Sequence, residues 1–324
     1  MPPPATDADW LGVAARLAAR GRPLARPNPS VGCVIVRDGV VVGRGWTADG
    51  GRPHAEAAAL AGAGDKARGA TVYVSLEPCA HRSERGPACA DLLVAARPGR
   101  VVVGALDPDL RTAGSGLGRL REAGIAAELI DCPAARESLA GYLTRAERAR
   151  PHVTLKLAMS LDGCIALADG SSQWITGPEA RAHAHARRAR ADAILVGGGT
   201  WRVDSPRLDV RLPGLVHRSP RRWVLTRGAP PPDAQAIGSP DEIAQMEGVQ
   251  YLYLEGGAQT AAAFLAADLV DRLEIYRAPI FIGDGLRAVG RLALPDLAAA
   301  HGCWELVEQA QLGSDAFAAY RRSR

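Results

Sequence analysis

Along the chain, the spacing of apolar residues switches repeatedly between the helical and the strand period. Over residues 9–19 the apolar positions Trp10, Val13, Ala14 and Leu17 recur at helical spacing, and Gly21 closes the segment. Two β-branched runs follow, 31–37 and 40–45, joined at Asp38-Gly39, a dipeptide that tight hairpins favour. Pro53 opens a helix over 54–61, a strand spans 71–76, another helix starts at Cys89, a buried strand covers 100–104 and a helix lies near 116–123. Helices alternating with strands must cover the faces of one sheet, so this half is expected to be a three-layer α/β sandwich. Residues 141–150 form a charged helical segment that Pro151 breaks. The linker is placed there, dividing the chain into domains 1–148 and 149–324.

The second half restarts with a strand over 153–158 and a turn at Ser160-Leu161-Asp162-Gly163. A buried strand over 191–196 runs straight into Gly197-Gly198-Gly199-Thr200, and another over 249–254 runs into Glu255-Gly256-Gly257 and a helix over 260–267. Strand, glycine pair and helix start form a physical recipe for holding phosphate, because backbone N–H groups approach closely and the helix end is partially positive. Taken singly, each run is more often just a tight turn. Further strands are expected over 269–276 and near 304–307.

A length of 324 residues suits two domains, each with its own core. Charge adds little to that picture. The net +4 is spread as 19 basic against 16 acidic residues up to position 148 and 20 against 19 beyond it, so neither half is the basic domain that nucleic-acid binding requires. Arg187, Arg188 and Arg190 read most simply as a solvated helix face, with one of them within reach of an anionic substrate. Met1 to Asp7 lacks a basic region followed by an apolar one, so no secretory leader is expected, and no apolar run reaches membrane-spanning length. Six cysteines in such a chain are expected to be reduced thiols and metal ligands in the cytosol, without membrane partners.

The sharpest chemistry lies in three short pieces: His54-Ala55-Glu56, Pro78-Cys79 and Cys89. Zinc takes N and S ligands in a tetrahedron, and a catalytic site leaves the fourth position to water; His54, Cys79 and Cys89 supply three ligands. Glu56, two residues from the histidine, is placed to carry protons instead of binding metal. The pattern resembles that of zinc deaminases acting on nucleobases, with nine residues between the cysteines in place of the compact two. A structural zinc would want a fourth ligand, for which His81 is the nearby candidate.

Further pieces extend the resemblance over nearly the whole chain. They are Pro27-Asn28-Pro29-Ser30-Val31-Gly32, Leu76-Glu77-Pro78-Cys79 and Asp107-Pro108 in the first half, then Leu155-Lys156-Leu157-Ala158-Met159-Ser160-Leu161-Asp162-Gly163, Gln173-Trp174-Ile175-Thr176, Asp204-Ser205-Pro206-Arg207-Leu208 with Arg211, and Glu255-Gly256-Gly257 in the second. Together they resemble the bifunctional riboflavin biosynthesis family, a diaminohydroxyphosphoribosylaminopyrimidine deaminase fused to a 5-amino-6-(5-phosphoribosylamino)uracil reductase.

The resemblance implies an α/β protein with a cytidine-deaminase-like first domain and a dihydrofolate-reductase-like second domain. One zinc per chain would serve the first and NADPH the second, with a phosphoribosylated pyrimidine as substrate and a homodimer as the expected assembly. It implies zinc ligands at His54, Cys79 and Cys89, a proton shuttle at Glu56, and deaminase substrate contacts at Asn28, Arg85 and Asp107. For the reductase it implies substrate contacts at Ser172, Arg188, Leu208, Arg211 and Glu255, and NADPH contacts at Ala158, Trp174, Thr200, Asp204 and Gly257; Lys156 is a further substrate-site candidate, and either it or Glu255 would assist proton transfer. Without it, Trp174 would be read as core and Asp204 as a turn cap. Two departures stand out: Asp109 occupies a position where the family often has asparagine, and the short, Pro-rich stretch 224–249 carries Thr226-Arg227 where an aspartate-serine pair is usual. The alternative is a zinc deaminase of another nucleobase or nucleotide, joined to a vestigial or non-catalytic nucleotide-binding domain.

Overall fold

A computed structural model describes residues 5–81 and 84–324 and divides into two compact units between Ala149 and Arg150. The first unit begins with helix α1 (Asp7–Ala18), whose N-cap Thr6 and Asp9 satisfy each other's backbone N–H groups in a capping box. Strands β1 (Gly32–Arg37) and β2 (Val40–Trp46) form the expected hairpin, with Asp38 and Gly39 both left-handed at φ 52° and 75°. Then come α2 (Ala55–Ala63), β3 (Thr71–Val74), α3 (Cys89–Ala96), β4 (Arg100–Val103), α4 (Ser115–Glu122), β5 (Ala126–Leu129), α5 (Pro133–Ser138) and α6 (Ala140–Arg148). The sheet order is β2-β1-β3-β4-β5; β1 is antiparallel to both its neighbours, and β3, β4 and β5 are parallel.

Alternation along the strands builds the layers. Cys33 and Ile35 of β1 pack with Ala55 and Ala59 of α2, Leu93 of α3 and Leu117 of α4, whereas Val34 and Val36 pack with Leu11 and Ala14 of α1 and Ala135 of α5. The unit is therefore the expected three-layer sandwich. Helix α2 lies flush on β2 because Gly43 and Gly45 leave room: a Cβ at either would sit 2.4 Å from a helix carbonyl, that of Ala59 or Ala55 respectively.

The second unit contains β6 (His152–Met159), β7 (Cys164–Ala166), α7 (Pro178–Arg188), β8 (Ala193–Gly197), α8 (Gly198–Asp204), β9 (Arg221–Leu225), β10 (Gln235–Ile237), β11 (Tyr251–Leu254), α9 (Ala258–Ala266), β12 (Arg272–Arg277), β13 (Leu286–Arg287), β14 (Trp304–Leu312) and β15 (Asp315–Arg322). Its main sheet runs β10-β9-β8-β11-β6-β12-β15-β14. The first six strands in that order are parallel, and the C-terminal hairpin β14–β15 adds an antiparallel edge. Strand β8 is buried throughout, as a parallel strand covered on both faces must be. Arg150 begins this unit with a buried bidentate pair to Asp271, at 2.7 and 2.9 Å, and the same carboxylate accepts the Val153 N–H. Burial opposes ionisation of Asp271, but Arg150, His152 and that N–H outweigh it and hold the carboxyl well below its ordinary range.

Candidate active sites

In the first unit, three chain segments converge. His54 is the N-cap of α2, Glu56 lies in its first turn, Cys79 follows β3, and Cys89 is the first residue of α3. The ligand atoms of His54, Cys79 and Cys89 all lie within 4.8 Å of one another. His54 Nδ1 is 3.6 Å from Cys79 Sγ and 3.3 Å from Cys89 Sγ, and the Cys89 N–H points at Cys79 Sγ from 3.3 Å. Interaction with Cys89 lowers the Cys79 thiol strongly, and the same interaction raises Cys89. One nitrogen and two sulfurs converging at a helix start are a donor set suited to zinc. His81 does not join them; its Nδ1 is 3.5 Å from the Thr112 hydroxyl instead. Among the described residues no fourth ligand joins the three, which is the arrangement of catalytic sites and leaves the structural alternative without its extra donor.

The approach of Cys79 is fixed by a neighbour two residues earlier. Glu77 is buried and accepts the Gly114, Gly116 and Leu117 N–H groups at 3.0, 3.0 and 3.1 Å, so the start of α4 clamps the strand end that leads to the cysteine. Glu56 is only 3% exposed. Burial raises its carboxyl above the ordinary range; His54 opposes this and Cys79 reinforces it.

Asn28 Nδ2 lies 3.0 Å from the Gly51 carbonyl and 2.9 Å from His54 Nε2, so the amide stands beside the ligand ring. A cleft of about 320 Å³ opens over His54 and Cys89; Arg85 lines it, bonded to the Gly50 carbonyl. Arg52 lines it too, a second cation that sequence reasoning passed over although it precedes Pro53-His54. Asp107 is not part of this wall. Its buried carboxylate accepts the Tyr142 hydroxyl at 2.6 Å and the Asp109 N–H at 3.0 Å. Asp109 is itself gripped by Arg111 through both carboxylate oxygens, so its charge is neutralised locally.

In the second unit, a cleft of about 1780 Å³ lies at the carboxyl ends of the parallel strands, the usual place for ligands in such sheets. All eleven residues expected of the reductase line it: Lys156 and Ala158 from β6, Ser172 and Trp174 from the loop before α7, Arg188 from α7, Thr200 and Asp204 from α8, Leu208 and Arg211 beyond it, and Glu255 and Gly257 after β11. The volume accommodates a dinucleotide beside a ribotide, and Gly257 is the N-cap of α9, presenting that helix start to the cleft.

At its floor, Glu255 accepts Arg188 Nε at 3.0 Å and Nη2 at 2.8 Å, with Lys156 Nζ 3.6 Å from its other oxygen. Burial would raise this carboxyl, but Arg188 and then Lys156 hold it below its ordinary value. The reading of the 187–190 arginines as a solvated face is therefore corrected. Arg188 is buried, and Arg187 bridges Glu274 and Glu308; only Arg190 is exposed. Helix periodicity marks a polar face, but carboxylates from β11, β12 and β14 cover it. Trp174 is 63% exposed, which excludes a core role, and the Arg181 guanidinium lies 4.8 Å from its ring centroid.

Comparison with known proteins names these parts. Residues 4–105 match the cytidine and deoxycytidylate deaminase zinc-binding region, and residues 151–243 and 241–316 match the RibD C-terminal domain. The protein is thus a zinc deaminase unit joined to a reductase unit. The riboflavin biosynthesis protein RibD of Escherichia coli K12 is 37% identical over 340 aligned positions, covering 90% of this chain and 92% of that protein. That of Mycobacterium tuberculosis H37Rv is 39% identical over 312, covering 89% of each. The fold superposes on Acinetobacter baumannii RibD with a TM-score of 0.85 at 33% identity, covering 98% of this chain and 99% of the other. It superposes on a Thermotoga maritima diaminohydroxyphosphoribosylaminopyrimidine deaminase/5-amino-6-(5-phosphoribosylamino)uracil reductase with a TM-score of 0.84 at 28% identity and the same coverage.

The chain belongs to the RibD family of riboflavin biosynthesis proteins. It is a bifunctional deaminase and reductase with zinc and NADPH as cofactors and a phosphoribosylated pyrimidine as substrate. Among the described residues, no helix is long and apolar enough to cross a membrane.

Proposed function

We propose that the first unit deaminates 2,5-diamino-6-(5-phosphoribosylamino)pyrimidin-4(3H)-one by hydrolysis, and that the second reduces the product to 5-amino-6-(5-phosphoribitylamino)uracil. The convergence of His54, Cys79 and Cys89 beside the buried Glu56 carries the first assignment. These three residues would hold zinc, which when bound acidifies water and so supplies a nucleophile at neutral pH. Glu56 takes the proton of the attacking water and delivers it to the departing ammonia. Asn28 orients the His54 ring and faces the pyrimidine edge, and Arg85 meets the ribose phosphate at the cleft mouth. Asp107 then acts indirectly, by bracing the 107–109 turn through Tyr142.

In the second unit, the cleft residues would hold NADPH, which when bound would supply hydride to C1′ of the ribosylamino group. Trp174 and Ala158 form the wall for the nicotinamide, Gly257 opens the helix that faces the pyrophosphate, and Thr200 and Asp204 line the remaining length. Ser172, Leu208 and Arg211 contact the substrate, and Arg211 carries the exposed cation for its phosphate. Glu255, held ionised between two cations, has no proton to give, so Lys156 donates to the opening ring while Glu255 and Arg188 fix its position. Six free cysteines support a reducing, cytoplasmic setting. Exposed Leu306 and Val307 on edge strand β14 support a homodimer.

The test supplies the diaminopyrimidinone ribotide and measures ammonia, then adds NADPH and follows its oxidation. Ammonia release without later NADPH oxidation would favour the deaminase with a non-catalytic partner domain. Replacing Lys156 with Met should depress hydride transfer without affecting ammonia release; full reductase turnover in that variant would remove Lys156 from the mechanism.

A further inference from the structure

The cationic side chains of the large cleft fall into two sets. Arg188 and Lys156 share Glu255, Arg207 and Arg211 share Asp209, Arg181 is bonded to the Thr176 carbonyl and Arg287 to the Asp162 carbonyl. Arg202, Arg227 and Arg291 also line the cleft, but none of the three makes an ion pair or hydrogen bond to a described residue. Arg291 follows Gly290, whose N–H meets the Ala258 carbonyl at the start of α9, whereas Arg202 and Arg227 occupy one lobe. Arg202 comes from α8 and Arg227 lies just past the end of β9, with Gly198 between them. A Cβ at Gly198 would sit 3.2 Å from both Arg202 Nη1 and Thr226 Oγ1, so that guanidinium reaches toward the β9 end. The floor of the lobe continues through Gly228, Gly238 and Ser239 at the ends of β9 and β10. Glu242, the nearby carboxylate, is occupied by the Gly238 N–H and the Ser239 hydroxyl, and Asp204 pairs with neither arginine.

Strand order fixes what reaches this lobe. From β6, which carries the nicotinamide wall, the sheet runs through β11, where the pyrophosphate helix begins, and β8 to β9, three strand spacings or about 14 Å. An extended dinucleotide anchored at the first two strands places its adenosine ribose over the last two. Open α/β sheets distinguish the two nicotinamide cofactors at that ribose: a carboxylate at the strand end accepts the 2′-hydroxyl of NADH, and an arginine receives the 2′-phosphate of NADPH. Here the strand end is Thr226-Arg227-Gly228, with no carboxylate.

We propose that Arg227, assisted by Arg202, binds the 2′-phosphate of NADPH and sets the preference for NADPH over NADH. The assignment rests on the second unit being a nicotinamide-dependent reductase. It is tested by calorimetric binding of 2′,5′-ADP and 5′-AMP, and of NADP⁺ and NAD⁺, to the full-length chain and to its R227A, R227K and R202A variants. The wild type should bind 2′,5′-ADP more tightly than 5′-AMP. R227A should weaken 2′,5′-ADP about tenfold or more while leaving 5′-AMP unchanged, R202A should do so to a lesser degree, and R227K should recover part of the loss. Equal weakening of both mononucleotides in R227A, or no change in either, overturns the proposal while leaving the cofactor reading intact. Failure of the wild type to bind either dinucleotide overturns both.

Discussion

The two sites are built on opposite plans. The deaminase site is small and made in advance: four side chains from two helix starts and a strand end meet within a few ångströms, with Glu56 already buried beside the ligands. The reductase site is a long cleft whose contacts come from the ends of β6, β8, β9 and β11 and the loops that follow, with most of its charges balanced in pairs across the sheet. Making and breaking bonds at one ring carbon calls for a tight, fixed cluster. Reducing one molecule with another calls for room to align two extended ligands, so the binding work is spread over many weak contacts. A single substitution should therefore be severe in the first unit and graded in the second.

Replacing Glu56 with Gln tests that most severely. Deamination should fall by roughly 10²–10⁴-fold while zinc content stays at about one per chain and NADPH oxidation on supplied deaminated product is unchanged. If both activities fall together, the two units do not work independently. Next in size is Arg150→Ala, which removes the two-pronged partner of buried Asp271 but leaves Arg324 on the same carboxylate, and should destabilise the second unit by about 1.5–3 kcal/mol, read as an earlier denaturation midpoint for reductase activity. Because the Asp271 pKa is depressed in the folded state, this stabilisation is present above the ordinary carboxylate pKa and is lost as pH falls through the lower folded value. The gap between wild type and variant should close in strong acid.

Glu255→Gln strips the counter-charge from Arg188 and Lys156 and should lower reductase kcat/KM by about tenfold, a graded loss in keeping with a distributed site. That carboxyl is also depressed, so the wild-type advantage should shrink as pH drops through its folded pKa. The smallest effect belongs to Asp109→Asn. The Arg111–Asp109 pair lies near the surface, and removing it should leave both deamination and Tm unchanged within error.

The same contrast governs what could be read from the chain. His54, Glu56, Cys79 and Cys89 are legible because zinc chemistry restricts residue type and position, and the long loop between the cysteines costs little. The three-layer sandwich follows from alternating periods, yet β5 and α5 escape notice: Ala126–Leu129 has no β-branched residue, and Pro133–Ser138 is little more than a turn and a half. In the second unit, Arg188 looks solvated until Glu255, 67 residues later, is placed against it. Pairing across parallel strands is non-local, so neither spacing nor composition reveals it; only the family resemblance brought Arg188, Leu208 and Glu255 into one site. Arg227 carried no signal of its own, being visible only as a departure from the usual pair.

The flush seat of α2 on β2 has a consequence for anyone surveying this enzyme by mutation. Gly45 has no functional group and does not line the cleft over the ligands, yet a methyl group there would press on the Ala55 carbonyl, between His54 and Glu56. Alanine at this position would push the helix start outward and misalign His54 and Glu56 together. A growth screen that scores only survival without added riboflavin would place Gly45 beside them on a map of indispensable positions. Such a map records where the backbone has no slack as faithfully as it records where reactions happen.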